Sequence, residues 1–286
     1  MSKAVIAGCG FAGLATARLF ADAGWEVVGI THSADSAALL GAERFPVIAC
    51  DITDREALAA RSELRGADAV IHCASSGRGG VDRYRAVYRD GARALAEVLA
   101  PGVLVFTSST SVYAQTGGEW VTEESAAEPD RETGRVLRET EELVLAASGV
   151  VARLAGLYGP GRSVLLRKFL ADEAVIEGDG AKWINQVHRD DIASALVRLV
   201  TANARGVFNV SDDEPLTQRA VYEWLALRFH RPLPPSGPID PNRKRGWSSK
   251  RVSNAKLRAL GWQSRFPSFF AAVENDPSIC AGDLAP

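Results

Sequence analysis

The stretch at residues 4–13, AVIAGCGFAG, decides the fold. Its apolar start is typical of a buried strand, and its glycines predict a tight turn that leads into a helix over residues 14–23. Gly24 ends that helix, and a second apolar strand follows at residues 26–30. A strand, glycine turn, helix and strand within ~30 residues are the pattern of a dinucleotide-binding unit.

Each residue of the turn has a separate expected role. Gly8 allows the tight turn, Gly10 lets the backbone approach a pyrophosphate, and Gly13 allows close packing of the helix on the strand. The free N–H groups and the dipole at the helix start then receive the anion. The turn therefore predicts cofactor contacts from Gly8, Gly10, Phe11, Ala12 and Gly13.

Composition limits the class of protein. The chain has 286 residues, 47% of them hydrophobic, which is enough for one large domain or a domain with a smaller lobe. The 33 Lys and Arg nearly balance the 35 Asp and Glu, so charge favours neither nucleic acid nor an anionic membrane as partner. No uncharged apolar run approaches the ~18 residues of a membrane span, and we expect no signal peptide before the first strand.

The cysteines and histidines bear on compartment and metal binding. The four cysteines form no CxxC pair and are typical of buried thiols in a reducing cytosol, so we expect a cytoplasmic protein. The four histidines are scattered, and the sequence predicts no metal site.

The polar cluster after the second strand bears on cofactor choice. NAD-preferring folds of this kind usually place Asp or Glu here to bind the ribose 2′-OH. This chain has Thr31, His32 and Ser33, and Asp35 comes several residues late. Such a cluster accommodates a 2′-phosphate, which favours NADP over NAD. The alternative is that these residues only cap the following helix.

Strand-like and helical segments alternate through residue 155. Further strands are predicted at 46–50, 69–73, 103–106 and 150–154, with helices at 55–65, 82–100 and 131–147. This alternation predicts an α/β fold, a Rossmann-type doubly wound parallel sheet in a dinucleotide-binding domain over residues 1–155. From residue 156, dense Pro and Gly, short strands and helices at 191–201 and 217–229 predict a smaller substrate lobe, interleaved with the first domain as one compact unit.

Two strand ends carry small and hydroxyl-bearing residues. Ser75 and Ser76 lie in a flexible loop after the fourth strand, and five consecutive hydroxyl residues, 107–111, follow the fifth. Capping or turn roles account for one or two of these hydroxyls. Ligands of doubly wound sheets bind at the carboxyl ends of strands, so we expect at least one hydroxyl to face a small-molecule substrate.

The order and spacing of short motifs resemble the extended short-chain dehydrogenase/reductase family, of the NAD-dependent epimerase/dehydratase type. The resemblance covers nearly the whole chain. Besides the glycine turn, the motifs are Asp51-Ile52 and residues 108–113, 153–161, 187–192, 208–210, 252–257 and 260–262.

The resemblance implies roles for single residues. Asp51 and Ile52 would hold the adenine, Ala74 and Ser75 would line the nicotinamide ribose, and Ser109 would match the family's substrate-binding Ser/Thr, which hydrogen-bonds the reacting oxygen. Other candidates are Cys73, Thr107 and Ser108 on the cofactor side, and Ser76, Thr110, Ser111, Thr133, Arg162 and Arg189 on the substrate side.

The chain departs from the family at its acid/base pair, a Tyr followed four residues later by a Lys. No tyrosine here has a lysine at that spacing, and the family's positions hold Thr133 and Leu137. Neither side chain exchanges a proton near neutral pH. The chain therefore resembles the atypical branch of the family, which keeps the cofactor fold and loses the dyad.

A hydride transfer still needs a proton donor or acceptor near the reacting oxygen. Tyr113 and Tyr158, expected in loops at the cleft, are candidates for that role. His188 is a third, with a capping network beside Asp190 and Asp191 as its alternative. Basic residues that could bind a phosphorylated or carboxylated substrate, or else form a solvated surface, are Arg162, Arg167, Lys168, Arg189 and the cluster at 243–245.

Two functions of different class remain open from the sequence. One is an NAD(P)-dependent oxidoreductase or epimerase acting on a small polar substrate, such as a sugar or sugar nucleotide. The other is a non-catalytic dinucleotide-binding sensor or scaffold. The missing dyad favours the second and the hydroxyl cluster favours the first. The helices at 82–100 and 131–147, where relatives often pair, carry many charges, so both a monomer and a homodimer are compatible with the sequence.

Overall fold

The computed structural model of the chain describes residues 1–77, 79–239 and 248–281. The basic cluster at 243–245, a candidate for anion binding, lies outside the described residues.

The strands build one large parallel sheet and several small pairs. Seven strands are hydrogen-bonded in the order β12-β7-β5-β4-β1-β2-β3, and every neighbouring pair is parallel. The doubly wound Rossmann-type sheet predicted from the alternation of strands and helices is confirmed. The strands are β1 (Lys3–Ala7), β2 (Glu26–Thr31), β3 (Val47–Ala49), β4 (Ala69–His72), β5 (Val103–Ser109), β6 (Trp120–Val121), β7 (Val150–Leu154), β8 (Gly156–Tyr158), β9 (Ile176–Glu177), β10 (Trp183–Ile184), β11 (Gln186–His188), β12 (Gly206–Val210), β13 (Leu216–Thr217), β14 (Ser236–Gly237) and β15 (Arg251–Val252).

Helices connect these strands. The helix predicted over 82–100 is interrupted by a π-helical segment, Ala86–Asp90, and the helix predicted over 55–65 ends at Ala60 and is followed by a 3-10 turn. The α-helices are α1 (Phe11–Asp22), α2 (Ala34–Leu39), α3 (Arg55–Ala60), α4 (Val81–Arg85), α5 (Gly91–Leu99), α6 (Glu132–Ala146), α7 (Val164–Leu170), α8 (Arg189–Thr201), α9 (Gln218–Phe229), α10 (Ala255–Ala259), α11 (Phe269–Asn275) and α12 (Ser278–Ala281).

Both faces of the central sheet are covered. Successive side chains of a strand point to opposite faces, so Ile6 packs in one apolar cluster with Phe20 of α1 and Leu196 of α8. Val5, its neighbour on β1, packs in the other cluster with Leu95 of α5. Burial on both faces explains why the sheet strands are continuous apolar runs rather than alternating ones.

The chain beyond β7 forms a smaller part around its own apolar cluster. Tyr158, Phe169, Tyr222 and Phe269 are buried in that cluster. Small parallel or antiparallel pairs join β8 to β11, β9 to β14 and β10 to β13. β12 returns to the edge of the central sheet and β15 pairs with β6, so the later residues are interleaved with the earlier ones. The domain boundary at residue 155 stays a prediction.

The hydroxyl-rich segment is ordered differently from the sequence prediction. β5 continues three residues further, to Ser109, because its pairing with β7 extends to the register of Ser109 with Leu154. Thr110–Val112 then forms a single 3-10 turn. The first three hydroxyl residues therefore belong to the sheet, and only the last two lie beyond it.

A buried ion pair joins α6 to the sheet. Glu141 is 0% exposed and Arg153 is 2% exposed, and two hydrogen bonds link the guanidinium to the carboxylate at 3.0 and 2.7 Å. The Ser108 hydroxyl donates to Glu141 at 2.6 Å. Arg153 also donates to the Tyr113 hydroxyl at 2.8 Å, which in turn donates to Asn209 at 2.9 Å. This network ties α6, β5, β7 and β12 together.

We expect Glu141→Gln to lower the free energy of unfolding by about 3–5 kcal/mol, because it leaves the Arg153 charge buried without its counter-ion. Urea denaturation followed by circular dichroism measures this change. Glu142→Gln is the matched control on the same helix: its side chain is 69% exposed, and we expect a change below ~0.5 kcal/mol. Equal loss in the two variants would contradict a special role for the buried pair.

Candidate functional site

A groove crosses the carboxyl ends of β1, β2, β3 and β4, and we call it the strand-end groove. Parallel strands bring their carboxyl ends to one edge of the sheet, which is where doubly wound folds bind ligands. The structure brings together many of the predicted cofactor contacts there. Those lining the groove are Gly8, Thr31, His32, Asp51, Ile52, Ala74 and Ser75.

The glycine turn leaves space for a ligand at one position only. A Cβ on Gly8, whose φ is +99°, would lie 2.3 Å from the Ala74 nitrogen, and one on Gly13 would lie 2.1 Å from the Gly8 oxygen. A Cβ on Gly10 would meet no heavy atom within 4 Å. Gly10 also caps α1 without a side-chain acceptor for the first-turn N–H groups. These residues fit a bound pyrophosphate.

Asp51 lines the groove just after β3. Its Oδ1 accepts hydrogen bonds from the Thr53 N–H at 2.9 Å and the Thr53 hydroxyl at 2.8 Å. Burial acts to raise the pKa of Asp51, but these hydrogen bonds outweigh it and the pKa is lowered. The carboxylate is therefore held ionised, as an acceptor for an adenine amino group requires.

The polar residues after β2 have two different roles: Ser33 caps a helix, and His32 is exposed to solvent. Ser33 caps α2 by accepting the Ser36 N–H at 3.3 Å, and the Thr31 hydroxyl donates to the Ser33 carbonyl at 3.2 Å. The capping alternative thus describes Ser33. His32 is different, since its side chain is 62% exposed at the rim, 3.7 Å from Asp51.

A second cavity, of about 230 Å³, opens beside the hydroxyl-rich turn. We call it the hydroxyl cleft, and its walls include Tyr84, Ser111, Thr133 and Ser248. Arg83 lines the groove and its neighbour Tyr84 lines the cleft, so both cavities border α4.

The two positions of the family's acid/base pair have different environments. Thr133 faces the hydroxyl cleft. Leu137, one helical turn further along α6, is buried in an apolar cluster that includes Val112 and Val144.

Several of the predicted hydroxyl contacts are used by the protein itself. The Thr107 hydroxyl donates to the His72 carbonyl at 2.9 Å, and that of Ser108 is bound to Glu141. Ser76 and Thr110 are buried, and Cys73 is half-buried. Ser108, predicted on the cofactor side, is therefore in the core, because β5 is longer than the sequence suggested.

Ser109 is at the end of β5 and half-buried. Its Oγ accepts the Ser111 N–H at 3.1 Å, which leaves its own O–H proton available to a ligand.

The two candidate tyrosines are both buried. Tyr158 is in β8, and burial, reinforced by Asp212, raises its pKa. Tyr113 has its hydroxyl held by Arg153 and Asn209, and burial raises its pKa as well. Tyr158, expected in a loop at the cleft, lies instead in a strand. Tyr113 follows the 3-10 turn and lines the cleft, but its burial, like that of Tyr158, disfavours proton release from the phenol.

His188 takes the capping role that the sequence offered as its alternative. It is the N-cap of α8, and its Nδ1 accepts the Asp190 N–H at 3.2 Å. Its Nε2 lies 3.2 Å from Asp276. The ring is fully buried and burial lowers its pKa. It does not reach the hydroxyl cleft.

Arg162 and Arg189 lie beside the glycine turn rather than in the hydroxyl cleft. Their guanidinium carbons are 4.9 and 5.6 Å from the centre of the Phe11 ring. Because Phe11 is the first residue of α1, both cations are on the side of the predicted pyrophosphate site.

Sequence reasoning missed a buried lysine next to the cleft. Lys250 is 5% exposed, and its Nζ donates to the Tyr113 carbonyl at 2.8 Å and to the Ser248 hydroxyl at 2.9 Å. Burial, with the charge of Lys182, lowers the pKa of Lys250 to about 8. The sequence carried no local signal of this, since Tyr113 is 137 positions away.

The family model for the NAD-dependent epimerase/dehydratase family matches residues 4–211. The chain belongs to this family. No match was found among curated proteins. None of the described helices is both long and apolar enough to cross a membrane.

Several solved structures share the fold. A protein from Methylobacillus flagellatus with a provisional NAD-dependent epimerase/dehydratase designation is 26% identical, with 98% of each chain covered and a TM-score of 0.76. UDP-glucose 4-epimerase from Thermotoga maritima, solved with UDP-glucose, is 19% identical over 100% of each chain, with a TM-score of 0.83. UDP-glucuronic acid 4-epimerase from Bacillus cereus, solved with NAD, is 19% identical over 99% of this chain and 100% of that one, with a TM-score of 0.80.

Substitutions at two glycines distinguish a position that leaves space for a ligand from one that is needed for packing. We expect Gly10→Ala to change the unfolding free energy by less than about 1 kcal/mol, because its Cβ would meet nothing. The same methyl group would weaken dinucleotide binding, measured by calorimetry, by at least ~10-fold, which corresponds to ~1.4 kcal/mol. Gly13→Ala should instead lower the melting temperature, since its Cβ would overlap the Gly8 oxygen. Unchanged affinity in Gly10→Ala would contradict pyrophosphate binding at this turn.

Proposed function

We propose that this chain is an NAD(P)-dependent oxidoreductase, epimerase or dehydratase that acts on a small polar substrate. The observation that carries the proposal is that the strand-end groove and the hydroxyl cleft both border α4, through the adjacent residues Arg83 and Tyr84. A dinucleotide held in the groove would supply a hydride donor or acceptor. The wall of the neighbouring cleft carries hydroxyl groups that can both donate and accept hydrogen bonds, those of Ser111, Thr133 and Ser248.

A nucleoside-diphosphate sugar is the substrate class we propose. Hydroxyl side chains suit the hydroxyl groups of a sugar, because each partner can be donor or acceptor. The names of the Thermotoga and Bacillus relatives, both UDP-sugar 4-epimerases, support the same class. The Ser109 hydroxyl, at the end of β5 and two residues before Ser111 of the cleft wall, would hydrogen-bond the reacting oxygen.

We propose that the family's Tyr-Lys dyad is absent and that the proton comes from another residue. Thr133 has a hydroxyl in the cleft but is no acid near neutral pH. Leu137, at the lysine position, packs in the apolar interior. These same two residues support the second candidate function, a dinucleotide-binding sensor without catalysis.

NADP is the cofactor form we propose. The exposed His32 ring and the Arg83 side chain are both at the groove, near the carboxylate of Asp51. Two basic side chains here suit a 2′-phosphate, and no carboxylate directly follows β2 to bind a free 2′-OH.

Ser109→Ala tests the catalytic proposal against the sensor. We expect turnover of UDP-glucose or UDP-glucuronic acid to fall by at least ~100-fold, because the variant loses a donor to the reacting oxygen. Cofactor affinity should stay within about 2-fold, less than ~0.5 kcal/mol. Product sugars are followed by NMR and cofactor binding by calorimetry. Binding without turnover by the wild-type protein with every sugar nucleotide would favour the sensor.

A double substitution tests the cofactor preference. We expect His32→Gln with Arg83→Gln to weaken NADPH binding by at least ~10-fold, since two partners of the 2′-phosphate are lost. NADH affinity should stay nearly unchanged. Parallel calorimetric titrations of wild type and variant with both dinucleotides measure the ratio. Equal losses for NADPH and NADH would place these side chains elsewhere on the cofactor.

A further inference from the structure

Lys250 stands at the cleft wall in a position the family's motifs do not include. Two of its ammonium hydrogens are used by the Tyr113 carbonyl and the Ser248 hydroxyl. An ammonium has three donors, so one remains. Tyr113 and Ser248 both line the hydroxyl cleft, so the amine lies one hydroxyl group behind the cleft wall.

The charges around Lys250 do not neutralise it. Within the described part of the chain it forms no ion pair, and its hydrogen-bond partners are uncharged. Lys182 opposes the ammonium form and Glu119 favours it. The phenol of Tyr113 is turned to Arg153 and Asn209. A buried lysine without a counter-ion is costly as a purely structural element, which points to a chemical use.

We propose that Lys250 holds the exchangeable proton of the reaction and passes it through the Ser248 hydroxyl to the substrate oxygen in the hydroxyl cleft. The proposal rests on the proposed function and names the residues that replace the dyad. Ser248 touches the substrate, while Lys250 acts through it as a positioning residue.

The step balances when a sugar alcohol is oxidised. The substrate O–H bond breaks and its proton goes to Ser248 Oγ, as the Ser248 proton moves to the neutral Lys250 amine. The substrate C–H bond breaks and its electron pair leaves with the hydrogen as hydride to the oxidised nicotinamide dinucleotide. The alcohol becomes a carbonyl, and the dinucleotide is reduced. In the reverse direction the ammonium returns the proton by the same path.

The acidity of Lys250 suits both directions. Its pKa of about 8 leaves appreciable amine and ammonium near neutral pH. A proton carrier works best when its pKa is near the working pH. Ser248 alone cannot serve, because a serine hydroxyl neither gains nor loses a proton readily without an adjacent base.

The first test needs no substrate. In full-length protein labelled with 15N-lysine, the Lys250 ammonium resonance is assigned by its loss in Lys250→Met. We expect a titration midpoint near pH 8. Lys182→Met, which removes a like charge, should move this midpoint upward. A midpoint at the unperturbed lysine value of about 10.4 would overturn the proposal whatever the protein's activity.

The second test follows the reaction. Protein, NAD or NADP, and UDP-glucose or UDP-glucuronic acid are mixed at several pH values. The first turnover is followed in a stopped-flow instrument by the absorbance of reduced nicotinamide, and product sugars are followed by NMR. We expect the wild-type oxidation rate to rise with pH through about 8, since the neutral amine is the acceptor. Lys250→Met and Ser248→Ala should each lower the rate at least ~100-fold, with cofactor affinity and melting temperature near wild type. Lys256→Met, which removes an unrelated lysine from α10, should leave the rate unchanged.

Lys250→Arg separates proton transfer from mere charge or packing. Arginine keeps the positive charge but cannot surrender its proton, so this variant should remain as slow as Lys250→Met. Rescue by arginine, or wild-type rates in Ser248→Ala, would overturn the relay while leaving the proposed function intact. A rate lost in Tyr84→Phe but kept in Lys250→Met would also overturn it. If the wild-type protein forms neither reduced nicotinamide nor a product sugar with any of these probes, the proposed function is refuted, and the relay with it.

Discussion

The pairing of Glu141 with Arg153 is the interaction on which the arrangement of the site depends. Both charges are almost fully removed from water, and the carboxylate is bound by the guanidinium at 2.7 and 3.0 Å. Such burial costs several kcal/mol per ion unless hydrogen bonds offset it. Ser108 and Tyr113 supply further bonds of this kind. The network therefore forms only when α6, β5 and β7 have their final positions.

This constraint sets the walls of the hydroxyl cleft. Ser111 follows the end of β5, and Thr133 is in the first turn of α6. Because the Glu141–Arg153 pair holds β7 and α6 together, and Ser108 of β5 is bound to Glu141, the pair also fixes the positions of these two cleft residues. Gly134 contributes locally, since a Cβ there would lie 2.4 Å from the Pro129 Cβ. The loop before α6 can thus close onto the helix start. The buried polar network and the cleft wall therefore use the same segment of chain. Ser108 and Tyr113 belong to the motif at residues 108–113, yet their hydroxyl groups form hydrogen bonds in the interior.

The sequence predicted the parts of the fold that depend on local sterics. At Gly8 and Gly13 neighbouring backbone atoms leave no space for a side chain. This requirement for glycine can be predicted from a short stretch of sequence. The burial of polar side chains cannot be predicted in this way, because it depends on partners that are distant in the sequence. Glu141 is on a heavily charged helix, and its burial depends on Arg153, which comes 12 residues later on a different element. Lys250 and Tyr113 are 137 positions apart, so no spacing rule connects them. Tyr158 was misjudged for the same reason, because α11 and its Phe269 cover it.

These two kinds of constraint respond differently to substitution. The glycine turn must match its neighbours atom by atom, and a single methyl group at Gly8 or Gly13 would collide with backbone. A proton-holding group has a looser requirement, since it needs only a suitable acidity and a hydrogen-bonded path to the reacting oxygen. Thr133 and Leu137 can therefore stand on α6 without disturbing the sheet or the groove. In the relay that we propose, Lys250, from the segment before β15, would meet this looser requirement through its hydrogen bond to Ser248. The fold thus fixes the groove at the strand ends and leaves open which side chain carries the proton.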